Sequence, residues 1–286
     1  MGQSGVGIVT DSTAYLPEDL LRKHSVSVIP LAVNLEDQCF REGEMSNSEF
    51  YRRLRQSKVL PTTSQPSLGE FVRTYEELGA IYESIISIHI SGKLSGTVTA
   101  AETAKGMLPH LKIEVFDSLT TCSSLGFQVL AAAQAAQAGR SKAEILQRLN
   151  WLRSNLRLLF MVGTLEYLHR GGRIGGAQAL LGSFLEIKPI LHMPEGRIDV
   201  LERVRTRPRA IKRMLEVLRQ DLAGRDFGQI AVIHVDAPGE GARLVDALQQ
   251  EYPGLTVPVY EVGPVIGSHV GPESVGLVYG PKAPEF

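Results

Sequence analysis

Small polar side chains gather in four short stretches of the first half of the chain: Asp11-Ser12, Thr62-Thr63-Ser64, Ser91 to Ser95, and Asp117-Ser118. Three chemistries could use them. Nucleophilic catalysis needs a serine or cysteine beside a histidine base that an acid orients. Ser95, His269, His89 and Asp117 supply the residue types, but Lys93-Leu94-Ser95-Gly96 lacks the first glycine of a G-x-S-x-G elbow. Metal ligation is poorly served, because the seven histidines are scattered and no HExxH or carboxylate cluster occurs. Cys39 and Cys122 are isolated, suggest neither a disulfide framework nor a zinc site, and read as small apolar filler. The third chemistry is anion binding. A carboxylate taken out of water must be met by several donors, and hydroxyls, backbone N–H groups and one histidine can do this without a permanent counter-charge. Such a site suits a ligand with an anionic head and an apolar tail.

The elements that must hold these groups are legible around Ser84 to Ala104. Ile85, Ile86, Ile88 and Ile90 form an apolar run of strand length, suited to burial on both faces of a parallel sheet. The run breaks at Ser91-Gly92-Lys93-Leu94-Ser95-Gly96, and Thr97 onward, with Ala100, Ala101 and Ala104, makes a helix. Unpaired N–H groups and the dipole at that helix start favour an anion, although Ser95 reads equally well as a helix cap. Val6 to Thr10 is another strand, and Pro17 opens a helix with Glu18 and Asp19 in its first turn. Ser25 to Leu35 reads as one strand, followed by a polar segment to about Gly43. Ser46 with Glu49, Ser67 with Glu70, and Ser141 with Glu144 are capping-box patterns that open three helices. Pro61 to Pro66 reads as a hydroxyl-rich loop pinned by two prolines. Lys112 to Phe116 is a strand, and Ser123 to Ala138 an alanine-rich helix. This alternation predicts a parallel α/β sheet whose polar clusters fall at the carboxyl ends of strands, where ligands bind.

The second half repeats the alternation. Strands are expected at Arg157 to Gly163, Ile187 to His192, Arg197 to Val204, Gln229 to Val235, Val257 to Val262 and Val275 to Tyr279. Helices are expected from Ala177 to about Phe184, Arg209 to Leu222 and Gly239 to Gln250. Glycines 171, 172, 175 and 176 fit neither GxGxxG nor GxxxxGK[ST] in the required context, so they read as a sharp bend. With no low-complexity linker, two tightly packed α/β subdomains are expected, about 1–155 and 156–286, together spanning 6–284. Of the 286 residues 43% are hydrophobic and 21% charged, and the net charge is −1, so no basic field argues for nucleic acid. No apolar run reaches transmembrane length and no basic, then apolar, leader opens the chain, which reads as cytoplasmic.

Taken as an ordered set, several stretches resemble the DegV family. They are Ile8-Val9-Thr10-Asp11-Ser12-Thr13, Pro61-Thr62-Thr63-Ser64-Gln65-Pro66-Ser67 and Ser91-Gly92-Lys93-Leu94-Ser95-Gly96-Thr97. Further along come Val115-Phe116-Asp117-Ser118, Leu168-His169-Arg170-Gly171-Gly172-Arg173-Ile174, Val204-Arg205-Thr206 and Gly267-Ser268-His269-Val270-Gly271-Pro272. The resemblance implies a two-domain α/β protein that binds one long-chain, palmitate-like fatty acid. It also implies that the acyl carboxylate is presented to a separate fatty acid kinase, with no catalytic residue and no cofactor in this chain. By the same resemblance Thr63 meets the carboxylate, with Thr62 and Ser64 beside it. Ser95 and Gly96 form the serine–glycine turn, His269 joins the hydrogen bonds, and Arg205 faces the kinase. Arg170 stands where many members carry lysine or arginine before GGR. One departure is Ser91-Gly92, where the family often has two serines. A different reading of the same residues is a serine hydrolase acting on acyl esters through Ser95 and His269.

Overall fold

The computed structural model describes residues 5–183 and 187–284. The chain opens with β1 (Val6–Asp11), α1 (Glu18–Lys23), β2 (Val26–Ile29), β3 (Ala32–Leu35) and β4 (Gln38–Arg41). Next come α2 (Asn47–Gln56), β5 (Thr62–Ser64), α3 (Leu68–Gly79), β6 (Ser84–His89) and α4 (Thr97–Met107). The first half ends with β7 (Ile113–Asp117), α5 (Cys122–Gln137) and α6 (Lys142–Asn155). Four of these strands form an all-parallel sheet in the order β2-β1-β6-β7. Every residue of β1 and β6 is buried, as their unbroken apolar runs require when helices cover both faces. Ile86 and Ile88 pack against Leu125, Val129, Ile145 and Leu149 of α5 and α6. Ile85 faces the other way, onto Phe71 and Tyr75 of α3 and Ala100, Ala101 and Ala104 of α4.

Capping follows the sequence. Ser67 and Ser141 each complete a capping box with Glu70 and Glu144. Ser46 accepts from the Glu49 N–H, but the Glu49 carboxylate turns instead to Arg52 and Arg53.

Two expectations are corrected here. Ser25 to Leu35 is not one strand: Pro30 offers no N–H to a ladder, so β2 stays in the parallel sheet while β3 starts another. That second sheet is antiparallel, β4-β3-β5, and contains two segments read from sequence as polar coil. Strand β5 is only three residues long, too short for alternation to show, and forms because Thr62, Thr63 and Ser64 pair with Asn34, Val33 and Ala32.

The second half runs β8 (Arg157–Met161), α7 (Glu166–Arg170), a 3₁₀ segment (Gly175–Ser183), β9 (Lys188–His192) and a 3₁₀ turn (Pro194–Gly196). It continues with β10 (Asp199–Val204), α8 (Arg207–Asp221), β11 (Phe227–Val235), α9 (Pro238–Glu251), β12 (Val259–Glu261), α10 (Pro264–Val270) and β13 (Ser274–Pro281). The helix expected from Ala177 is the 3₁₀ segment, and its expected end at Phe184 lies outside the described residues. The glycine cluster is a bend: Gly172 and Gly175 have φ of 70° and 52°, and a side chain on Gly175 would strike the Ile198 carbonyl. This half forms a six-stranded sheet, β10-β9-β8-β13-β11-β12, antiparallel except for the β11–β12 pair. The last strand, β13, inserts between β8 and β11, so strand–helix alternation alone does not predict its direction. One face of the sheet is covered by α8 and α9. The other shares a single core with the first half, in which Leu31, Val33 and Phe50 pack with Leu158, Phe160 and Ile233.

Candidate functional site

Strand alternation explains the first site residue. In β5, Thr62 and Ser64 point outward and are exposed, whereas Thr63 turns inward. Thr63 Oγ1 lies 2.7 Å from Nε2 of His269, in the last turn of α10. The Thr62 hydroxyl instead sits 3.5 Å from the Asn34 amide, and Ser64 lines neither the cavity described below nor its outer pocket. The structure thus brings Thr63 and His269 together and leaves Ser64 out.

The turn after β6 supplies the next group. Ser91 is buried and its hydroxyl donates to the Gly196 carbonyl at 2.9 Å, tying the two halves. Ser95 Oγ is 2.8 Å from Thr97 Oγ1 and accepts from the Thr97 N–H, so it does act on the helix start. Gly96, at the N-cap of α4, lies against the end of the exposed Gln65 side chain, which a Cβ there would displace. Gln65 belongs to the Pro61–Pro66 stretch, so this contact seats that stretch on the turn.

Between the two halves lies a cavity, narrow and almost wholly apolar in its lining. Leu31, Ile90, Phe160, Ile233, Val262 and Ile266 give its walls their apolar character, and Thr63, Ser95, Arg173 and His269 also line it. Thr63, Arg173 and His269, all half-buried, further line a more polar neighbouring pocket together with the exposed Thr62 and Arg170. These three groups therefore mark the mouth.

Arg173 was not singled out from sequence, and it changes the electrostatics expected of the site. A head group met by neutral donors alone was anticipated, yet this guanidinium stands at the mouth. Its Nε donates to the Leu94 carbonyl at 3.0 Å and its Nη1 to the Gly171 carbonyl at 2.7 Å. No carboxylate among the described residues pairs with it, so its charge is available to an anion. The left-handed Gly172 sends Arg173 inward, while Arg170 stays exposed and pairs with Glu166 at 2.8 Å. Burial, with Arg173 adding to it, pushes the His269 imidazole down to about 4, so it is neutral at physiological pH. Its Nδ1 is buried without a partner among the described residues. With Nε2 protonated and donating to Thr63, the Thr63 hydroxyl hydrogen is free for an acceptor in the cavity.

The triad imagined from sequence does not assemble. His89 lies 3.0 Å from Asp11 and 2.6 Å from Ser87, whose hydroxyl accepts from Tyr75 at 2.9 Å. All four side chains are sealed in the core, where they tie β1, β6 and α3 together out of reach of a substrate. Asp117 accepts from the Gly92 and Leu119 N–H groups. Ser95 and His269 share the cavity, but each is bonded to a different partner. Cys122 also lines it, with φ of 54°, and burial pushes its thiol up to about 12, far from a reactive thiolate. Arg205 lies away from the cavity, exposed in the turn between β10 and α8. Arg203 and Arg209 are exposed with it, whereas Arg207 turns inward to the Glu273 carbonyl and to Glu240. Among the described residues no cluster of three or more metal-ligating side chains occurs, and no helix is long and apolar enough to cross a membrane.

Comparison with known proteins fits this geometry. The model of the DegV family, described as uncharacterised proteins of that family, matches residues 5–282. Protein DegV of Bacillus subtilis (strain 168) is 39% identical over 276 residues, covering 96% of this chain and 98% of that one. A DegV family protein from Thermus thermophilus, whose solved structure is described as showing fatty acid binding, superposes with a TM-score of 0.91. It is 37% identical, with 97% of this chain and 99% of that chain covered. The crystal structure of DegV from Bacillus subtilis, described as a fatty acid binding protein, gives a TM-score of 0.89 at 38% identity. Here the coverage is 98% of this chain and all of that one. This chain belongs to the DegV family.

Proposed function

We propose that the protein binds one long-chain fatty acid, its carboxylate at the mouth on Thr63, Ser95, Arg173 and His269 and its tail in the apolar cavity. The observation that carries this reading is the junction of an apolar cavity with a mouth holding a guanidinium that no carboxylate among the described residues pairs with, and a neutral histidine–threonine pair. The solved relatives described as fatty acid binding support it. Each buried methylene contributes about 0.8 kcal/mol, so a sixteen-carbon tail offers roughly 10 kcal/mol before ordering costs. In this reading the protein is a cytoplasmic binding subunit without a cofactor, built from an N-terminal subdomain to about residue 155 and a C-terminal one. It presents the carboxylate to a separate kinase that forms an acyl phosphate, with exposed Arg205 toward that partner.

Native mass spectrometry after gentle purification tests this. The protein should carry one stoichiometric fatty acid. Hydrolysis of acyl esters that Ser95→Ala abolishes without loss of affinity would replace this reading with the hydrolase.

A further inference from the structure

A second space adjoins the cavity. It is a chamber open to solvent, about as polar as apolar in its lining, whose polar part comes from Thr120, Ser124, Gln128, Arg153, Arg157 and His192 among others. Leu158 and Met193 line both spaces, so one wall of the acyl cavity is also a wall of the chamber. None of Thr63, Ser95, Arg173 or His269 lines the chamber, which sets it apart from the head-group end. Methionine is unbranched and adapts its shape readily, and Met193 leads directly into the 3₁₀ turn Pro194–Gly196.

The polar atoms along this wall are left incomplete. Gln128 is 1% exposed, and its Nε2 makes only long bonds, to the Ser118 and Ser124 carbonyls at 3.3 and 3.4 Å. Its Oε1 is buried and meets no donor among the described residues. Ser123 Oγ, in the first turn of the same helix, likewise meets no partner among the described residues, although it lines neither space. Buried polar atoms are kept where something supplies the missing partner.

We infer that this chamber receives the far end of the acyl chain when that end carries a hydroxyl, so that hydroxylated long-chain fatty acids are ligands. The inference rests on the fatty-acid reading of the mouth. A terminal hydroxyl donates to Gln128 Oε1 and accepts from a neighbouring hydroxyl such as Ser124. A neutral end fits better than a second carboxylate, because the lining already carries the Glu195 carboxylate and Arg157 faces Asp221. Arg153 donates to the Asp117 carbonyl and to Asn150 and stacks on Phe116.

The test is competitive displacement from the delipidated full-length chain. The probes are saturated acids of fourteen, sixteen and eighteen carbons and their ω-hydroxy counterparts. At least one hydroxy acid should bind within about threefold of its parent, whereas a sealed apolar end would weaken all three by about tenfold or more. Gln128→Leu should weaken that hydroxy acid by about tenfold and leave the parent acid within about twofold. If this variant does not fold, Gln128→Met, closer in shape, carries the same expectation. Weakening of all three hydroxy acids by tenfold or more overturns the inference, and so does a Gln128 variant that weakens both ligand types alike. A dicarboxylic acid that outcompetes the hydroxy acid overturns the neutral-end assignment. Failure of hexadecanoate itself to bind would sink the reading of the mouth, and the chamber proposal with it.

Discussion

At the mouth, Thr63 and the neutral His269 form one pair, and the tautomer with Nε2 protonated leaves the Thr63 hydroxyl hydrogen free to give. A charge-assisted bond to a carboxylate contributes about 1.5–3 kcal/mol, so Thr63→Val and Ser95→Ala should each weaken fatty-acid binding by about tenfold or more. The double variant should be non-additive, since both groups share one carboxylate. Isothermal titration of the three variants checks this. The histidine gives a second expectation. An anion beside His269 favours the imidazolium, so its titration midpoint, about 4 in the free protein, should rise when a fatty acid is bound. NMR titration of the imidazole with and without ligand measures this, and an unmoved midpoint would place the carboxylate elsewhere. Thr63, Ser95 and His269 were legible in the sequence because each sits in a recognisable motif. Arg173 was not, because only the left-handed turn at Gly172 decides which arginine of the stretch points inward. Thr62 lines only the outer pocket and Ser64 neither, a distinction that a loop reading, having no period of two, could not draw.

Helix α10 is the element that holds His269, and its start is fastened to the first half of the chain. The Val265 N–H donates to Glu42 at 2.8 Å, Tyr15 donates to the same oxygen at 3.0 Å, and the Ile266 N–H donates to Tyr15 at 3.1 Å. Burial pushes the Glu42 carboxyl up to about 7. Its folded midpoint lies above the unfolded one, so its contribution is fully present below about pH 4.5 and is lost as pH rises through 7. Glu42→Gln keeps the acceptor and removes the charge. It should therefore be more stable than the parent at pH 8, by about 1–3 kcal/mol, and lose that advantage near pH 4. Thermal melts at the two pH values decide it, and equal destabilisation at both would mean that the carboxylate is needed for the fastening itself. Little of this element could be read in advance, since Gly263 to Pro272 shows too few residues between its glycines and prolines for helical periodicity. The parallel sheet was far more legible, because β1 and β6 are buried on both faces and their sequences say so residue by residue.

On the scale of the whole molecule, the two halves close on one core, and the cavity lies along that seam with its mouth formed from both. Arg203, Arg205 and Arg209 are exposed on a chain whose net charge is only −1, a local positive field suited to steering an acidic partner. If the carboxylate is presented to a separate kinase, as proposed above, Arg205→Ala should leave fatty-acid affinity intact while slowing acyl-phosphate formation by that kinase, and the association should weaken with salt. Loss of lipid binding in this variant would move Arg205 into the pocket. The seam itself was only partly legible. The sequence shows two α/β halves and no linker, but the insertion of β13 between β8 and β11 depends on pairing that local patterns do not encode.

A dependence of affinity on acyl length follows from a tail held in the apolar seam. Its most direct test is an equilibrium titration of the delipidated protein with octanoate and with hexadecanoate. The two acids share a carboxylate and differ by eight methylenes, which are together worth roughly 6 kcal/mol of gross burial. After ordering costs, hexadecanoate should still bind at least about a hundredfold more tightly. Equal affinities for the two acids would contradict an enclosed acyl site between the halves.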